Sequence, residues 1–129
     1  MEKTKKKHLS DLHFEHKLWD METRFYEDEL KLYQTWLEEV AGKNTHMDVQ
    51  MEVEHFQNQF FIQKKQLSTL RHQAKAHEQW LSNYAETHQT AIDHVNFADH
   101  ATMRDHMDTY RKLYSELKAE FKRFLEEKL

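Results

Sequence analysis

Only one residue in this chain favours the ending of a helix. Proline is absent from all 129 positions, and the single glycine is Gly42. Proline and glycine are the strongest local interrupters of helices, so the sequence permits helices of unusual length. It also excludes several alternatives. Turn-rich β architectures need glycine and proline at many corners, and six Val and Ile residues are too few to fill strands. A Rossmann fingerprint or a P-loop cannot be written with one glycine. Cysteine is absent too, which removes disulfides, thiol catalysis and cysteine-based zinc sites and makes a cytoplasmic location the expectation.

Apolar residues recur at alternating spacings of three and four, the heptad seam of packed helices. The first seam runs Leu9, Leu12, His16, Trp19, Thr23, Tyr26, Leu30, Tyr33, Leu37, Val40. Ser10 and Asp11 suit its start, and Gly42 falls where a C′ residue adopts positive φ. After a turn at 43–44, Thr45 is placed to cap a second helix, with Asp48 three residues on. The second seam runs Val49, Val53, Phe56, Phe60, Gln63, Leu67, Leu70, Ala74, His77, Leu81, Tyr84, His88 without a slip of phase. A break near Ser68 would shift the register, so one helix of about 40 residues, roughly 60 Å long, is expected. The third seam runs Asn96, His100, Met103, Met107, Tyr110, Tyr114, Leu117, Phe121, Phe124, with Thr90, Asn96 and Asp99 as alternative caps.

Short connections make neighbours antiparallel. The expected fold is all-α: a single domain over 1–129, an elongated up-down-up three-helix bundle with a long central helix. In shape it resembles a spectrin repeat, and Trp36-Leu37-Glu38-Glu39 is similar to that sequence pattern. The resemblance implies an architecture and no activity.

Formal charge is -4, which argues against nucleic acid as a partner. No apolar run is long enough for a membrane span. The basic residues Lys3, Lys5, Lys6 and Lys7 belong to an N-terminal stretch (1–8) without an apolar segment behind it, which reads as a solvated tail.

Helix one carries more apolar residues than one seam needs. Phe14, Leu18, Met21, Phe25 and Leu32 recur at the same spacing on its other face, and helix two adds Met47, Met51, Phe61 and Ile62. Folding the hairpin at 43–44 puts residue i opposite roughly 87 minus i, so that Phe25 lies level with Ile62 and Leu32 with His55. The surplus then merges into one ridge on the helix one/helix two side, a candidate surface for a second copy or a helical protein partner. The outer positions of helix three, among them Arg111, Lys112, Glu116, Lys118 and Arg123, read as a solvated face.

Histidine is abundant, at eleven residues. In the antiparallel arrangement His8, His13, His16, His72, His77, His88, His94, His100 and His106 gather towards one end, with Asp and Glu residues nearby. Imidazole with carboxylate suits a divalent transition metal such as zinc or iron. The Asp-His pairs at 93/94, 99/100 and 105/106 cannot share one metal from one helix, because six residues turn by about 600°. Glu52-x-x-His55 matches one ligand unit of ferritin-like di-iron bundles, but the second unit is missing. The best candidate ligands are His16, His77 and His100, one from each helix. Catalysis has little support: the four serines lack the glycines of a nucleophile elbow.

The expected function is therefore non-enzymatic association through Phe14, Leu18, Met21, Phe25, Leu32, Met51, Phe61 and Ile62, with a homodimer as the simplest product. The alternatives are a metal-binding bundle built on the three histidines, or a pH-responsive bundle using seam imidazoles.

Overall fold

The computed structural model describes residues 9–87 and 94–128. Three helices account for nearly all of them: α1 (Leu9–Lys43), α2 (Met47–Thr87) and α3 (His94–Lys128). No helix among the described residues is long and apolar enough to cross a membrane. The helices form the expected up-down-up bundle, and α2 runs unbroken through Ser68 for 41 residues.

The seams supply the core. Trp19, Leu30, Tyr33, Leu37 and Val40 of α1 are buried against Val53, Phe56, Phe60, Leu67 and Leu70 of α2. Met103, Met107, Tyr110, Tyr114, Leu117, Phe121 and Phe124 of α3 close the third side. Rings fill the middle. Phe121 lies 4.9 Å from Phe60 and 5.2 Å from both Phe56 and Tyr33, centroid to centroid, distances typical of favourable aromatic pairs. Each fully buried ring or aliphatic chain contributes roughly 1.5–3 kcal/mol, which is how a chain only 38% apolar sustains a core. Thr23 occupies a seam position without cost, because its hydroxyl donates to the carbonyls of Trp19 and Asp20.

The hairpin between α1 and α2 differs from expectation. Gly42 is helical, and no described residue has positive φ. The last carbonyls of α1 are satisfied another way: Asn44 donates both its backbone and side-chain N–H to Val40 O, and the Gln50 amide reaches Ala41 O and Asn44 O. With those groups capped by side chains, a left-handed residue is unnecessary. The first bond of α2 is accepted by His46 O, so Thr45 stands one residue before the cap position.

Because α1 continues through Gly42, the pairing of α1 with α2 shifts. Tyr33 faces Phe60 and His16 faces His77, so residue i lies level with about 93 minus i rather than 87 minus i. Phe25 therefore sits level with Ser68 and Leu32 with Phe61. Asn96 and Asp99 lie inside α3 and do not begin it, while the alternative cap Thr90, the seam residue His88 and the basic stretch 1–8 lie outside the described residues.

The parallel helices α1 and α3 are held by a ladder that the sequence did not reveal. Glu15, Glu22 and Glu29, seven residues apart, receive Arg104, Arg111 and Lys118, also seven apart. Arg111 is bidentate on Glu22, with Nε–Oε2 at 2.6 Å and Nη2–Oε1 at 2.9 Å. The expectation that Arg111 and Lys118 belong to a wholly solvated face is thus corrected. Leu113 is also exposed, so α3 carries one outward apolar group of its own.

Candidate functional site

Near the N-terminal end of α1 the apolar core gives way to imidazoles. His16, His77 and His100, one from each helix, converge so that one ring nitrogen of each lies within 4.8 Å of the other two. Their ring centroids are 4.9–5.3 Å apart. The cause is seam geometry: each histidine occupies a core heptad position, and the pairing of the helices puts the three at one height. Trp19 stacks on His100 at 5.0 Å and bounds the cluster on the core side. Beyond it, Leu12 and Leu81 with Tyr84 form a separate small apolar cluster. The histidines therefore make a polar layer between two hydrophobic ones.

Carboxylates fix the rings. His16 Nδ1–H donates to Glu78 Oε1 at 2.5 Å, and His77 Nδ1 lies 2.9 Å from His16 Nε2. The first contact places the His16 proton on Nδ1, leaving Nε2 to accept from His77. His100 Nε2–H donates to Glu15 Oε1 at 2.6 Å, and Arg104 grips the same carboxylate through Nε at 3.0 Å and Nη2 at 2.8 Å. Burial lowers the His100 pKa more than Glu15 raises it, so this imidazole is neutral at pH 7. Burial pushes Glu15 upward, but hydrogen bonds from Arg104 and His100 overcome it and hold the carboxyl at about 2. His100 is 0% exposed, and its Nδ1 has no hydrogen-bond partner among the described residues.

Other candidate groups stand apart. His13 also contacts Glu78 but is exposed, His72 and His106 are exposed, and His46 and His55 lie towards the opposite end. His8 lies outside the described residues. Asp20 pairs with Arg24, and Asp108 with Arg111, so neither serves the cluster. Glu78 is the group that sequence reasoning missed: at 87 minus i it is level with Leu9, whereas the observed pairing sets it beside His16. A groove of about 780 Å³ between α1 and α2 runs alongside, lined by His13, His16, Asp20, Arg71, His72 and Glu78 among others.

The second candidate feature is the outer face of α1. Phe14, Leu18, Met21, Phe25 and Leu32 are all exposed, Phe14 at 60% and Met21 at 67%. Met51, Phe61 and Ile62 of α2 are exposed as well, and Phe61 lies level with Leu32 of α1. Met51 borders a groove with Glu120, Arg123 and Phe124 of α3, and Lys65 lies over the Phe61 ring. The α1 stripe is the regular one: positions 14, 18, 21, 25, 28 and 32 are the d and a sites of a second heptad, interrupted only by Asp28. Its e sites are Glu15, Glu22 and Glu29, and its g sites are Lys17, Arg24 and Lys31.

No protein-family model, curated protein or solved structure matches the chain.

Proposed function

We propose that this protein acts by self-association, as a parallel homodimer in which the outer stripe of α1 packs against the same stripe of a second copy. The observation that carries the reading is the exposed heptad Phe14, Leu18, Met21, Phe25, Leu32, which the bundle's own core leaves uncovered. About half of each side chain is accessible, on the order of 500 Å² together. The aliphatic stems of Lys17, Arg24 and Lys31 bring the face towards the roughly 800 Å² per partner of a standard interface. The flanking charges select the second copy and its direction. In a parallel pair each g site meets the e site five residues on in the other helix, so Lys17 meets Glu22 and Arg24 meets Glu29. An antiparallel pair would set base against base and acid against acid. Each carboxylate has enough acceptor sites to serve both α3 and the second copy.

Sedimentation of the full chain is expected to give a dimer, and Phe25→Glu a folded monomer. The natural lack of cysteine allows a clean test of direction. A Phe14→Cys chain in a parallel dimer forms a disulfide to the same residue of the other copy under mild oxidation. In an antiparallel dimer residue 14 would lie near residue 32, and no such bond would form. A monomeric wild type, or a dimer indifferent to Phe25→Glu, overturns the proposal.

A further inference from the structure

We propose that His16, His77 and His100 form a binding site for one divalent transition metal ion, with three imidazole nitrogens as ligands, and that the donor set suits zinc. The inference is independent of self-association, since the three histidines face the interior of one chain.

Donor chemistry and spacing agree. Zinc takes His nitrogens at about 2.0–2.1 Å, and three such ligands with one open position are a recurring arrangement for it. Tetrahedral angles then put neighbouring ligand nitrogens about 3.4 Å apart. His77 Nδ1 and His16 Nε2 are already at 2.9 Å, and one nitrogen of each ring lies within 4.8 Å of the other two, so small rotations of the rings, with the His77 proton moved from Nδ1 to Nε2, bring three lone pairs to one ion. Three separate helices contribute the ligands, so the site is assembled by the tertiary fold and is not available to the unfolded chain.

Two of the three rings carry the outer partner that a metal ligand uses. A ligating histidine usually donates its other ring N–H to a carboxylate, which fixes the tautomer and strengthens the ligand. His16 donates Nδ1–H to Glu78, which leaves Nε2 to bind. His100 donates Nε2–H to Glu15, which leaves Nδ1 to bind. That Nδ1 is the independent pointer to a ligand. It is fully buried and has no hydrogen-bond partner among the described residues, an arrangement that costs free energy unless something occupies the lone pair. Arg104, bidentate on Glu15, in turn fixes that carboxylate. The groove between α1 and α2 is lined by both His16 and Glu78, so it reaches the outer edge of the cluster.

The test uses the full-length chain stripped with a chelator and titrated calorimetrically with zinc sulfate. One ion per chain is expected. Cobalt(II) in its place is expected to give the visible absorption of a four-coordinate, nitrogen-ligated ion. His77→Gln, at a half-buried position, removes a ligand with least risk to folding and is expected to abolish the cobalt spectrum while helix content by circular dichroism is unchanged. Glu78→Gln keeps all three ligands and weakens zinc binding about 10- to 100-fold. His72→Gln and His106→Gln, away from the cluster, and the dimer-breaking Phe25→Glu retain one ion. Failure of the wild type to bind zinc and cobalt overturns the proposal. So does binding that survives His77→Gln undiminished, because the ion would then be held by other residues.

Discussion

Gly42 lies in the last turn of α1 with helical backbone, and a Cβ built on it meets nothing within 4 Å. Glycine in a helix is disfavoured relative to alanine, because the unfolded chain has more conformations to lose. Gly42→Ala is therefore expected to stabilise the protein by about 0.5–1 kcal/mol, measured by chemical denaturation. The opposite sign would restore the left-handed C′ role that its place before the turn suggests. The side chains that make this substitution tolerable are Asn44 and Gln50, whose amides cap the helix end that a left-handed glycine would otherwise finish. At the same scale, the three histidine positions were legible because each sits on a core seam, where a polar residue is conspicuous. Glu78 was not legible, because its relation to His16 is a matter of register between helices.

At the scale of elements, the seams could be read because a period of three and four depends only on neighbours within one helix. The stagger of α1 against α2 could not, since it depends on how far α1 continues before turning. Gly42, Lys43 and the cap at Asn44 move the pairing by six residues, enough to part Phe25 from Ile62 and to bring Leu32 level with Phe61. The Glu15–Glu22–Glu29 row was present in the sequence as a heptad, as was the Arg104–Arg111–Lys118 row, but only the stagger joins them. The same helix exposes a second heptad, and Asp28 is the one charged residue at its d and a sites between Phe14 and Leu32. In a parallel dimer the two Asp28 carboxylates would approach across the two-fold axis, so the residue limits affinity. Asp28→Leu removes that repulsion and adds apolar contact at roughly 1.5–3 kcal/mol per buried side chain. The dimer is expected to tighten at least about tenfold, read as a shift of the monomer–dimer transition in sedimentation equilibrium. No change in affinity would remove Asp28, and with it the α1 stripe, from the interface.

For the whole molecule, α3 is joined to α1 by no short loop, and its stagger is set by packing and by the ionic ladder, in which each α3 cation lies 89 residues after its α1 carboxylate. Glu22 is the middle rung. Burial pushes its pKa up, but hydrogen bonds from Arg111 and Tyr26 and the charge of Arg111 outweigh that and leave it below the ordinary 4.5. Arg111 also holds Asp108, so two carboxylates share its guanidinium. A carboxyl with a depressed folded-state pKa contributes stability above its unfolded value, and that contribution disappears as pH falls through the folded value. Arg111→Met is accordingly expected to destabilise the bundle by on the order of 1 kcal/mol at pH 7, a figure discounted for the partial exposure of both side chains. The difference between wild type and variant should stay constant down to about pH 5 and shrink below 4.5, as both proteins come to carry a protonated Glu22. Paired urea titrations across pH 7 to 3 measure it. A difference that persists unchanged at pH 3 would mean that Arg111 acts through its aliphatic stem. Loss of the difference on acidification would assign the contribution of Arg111 to its charge.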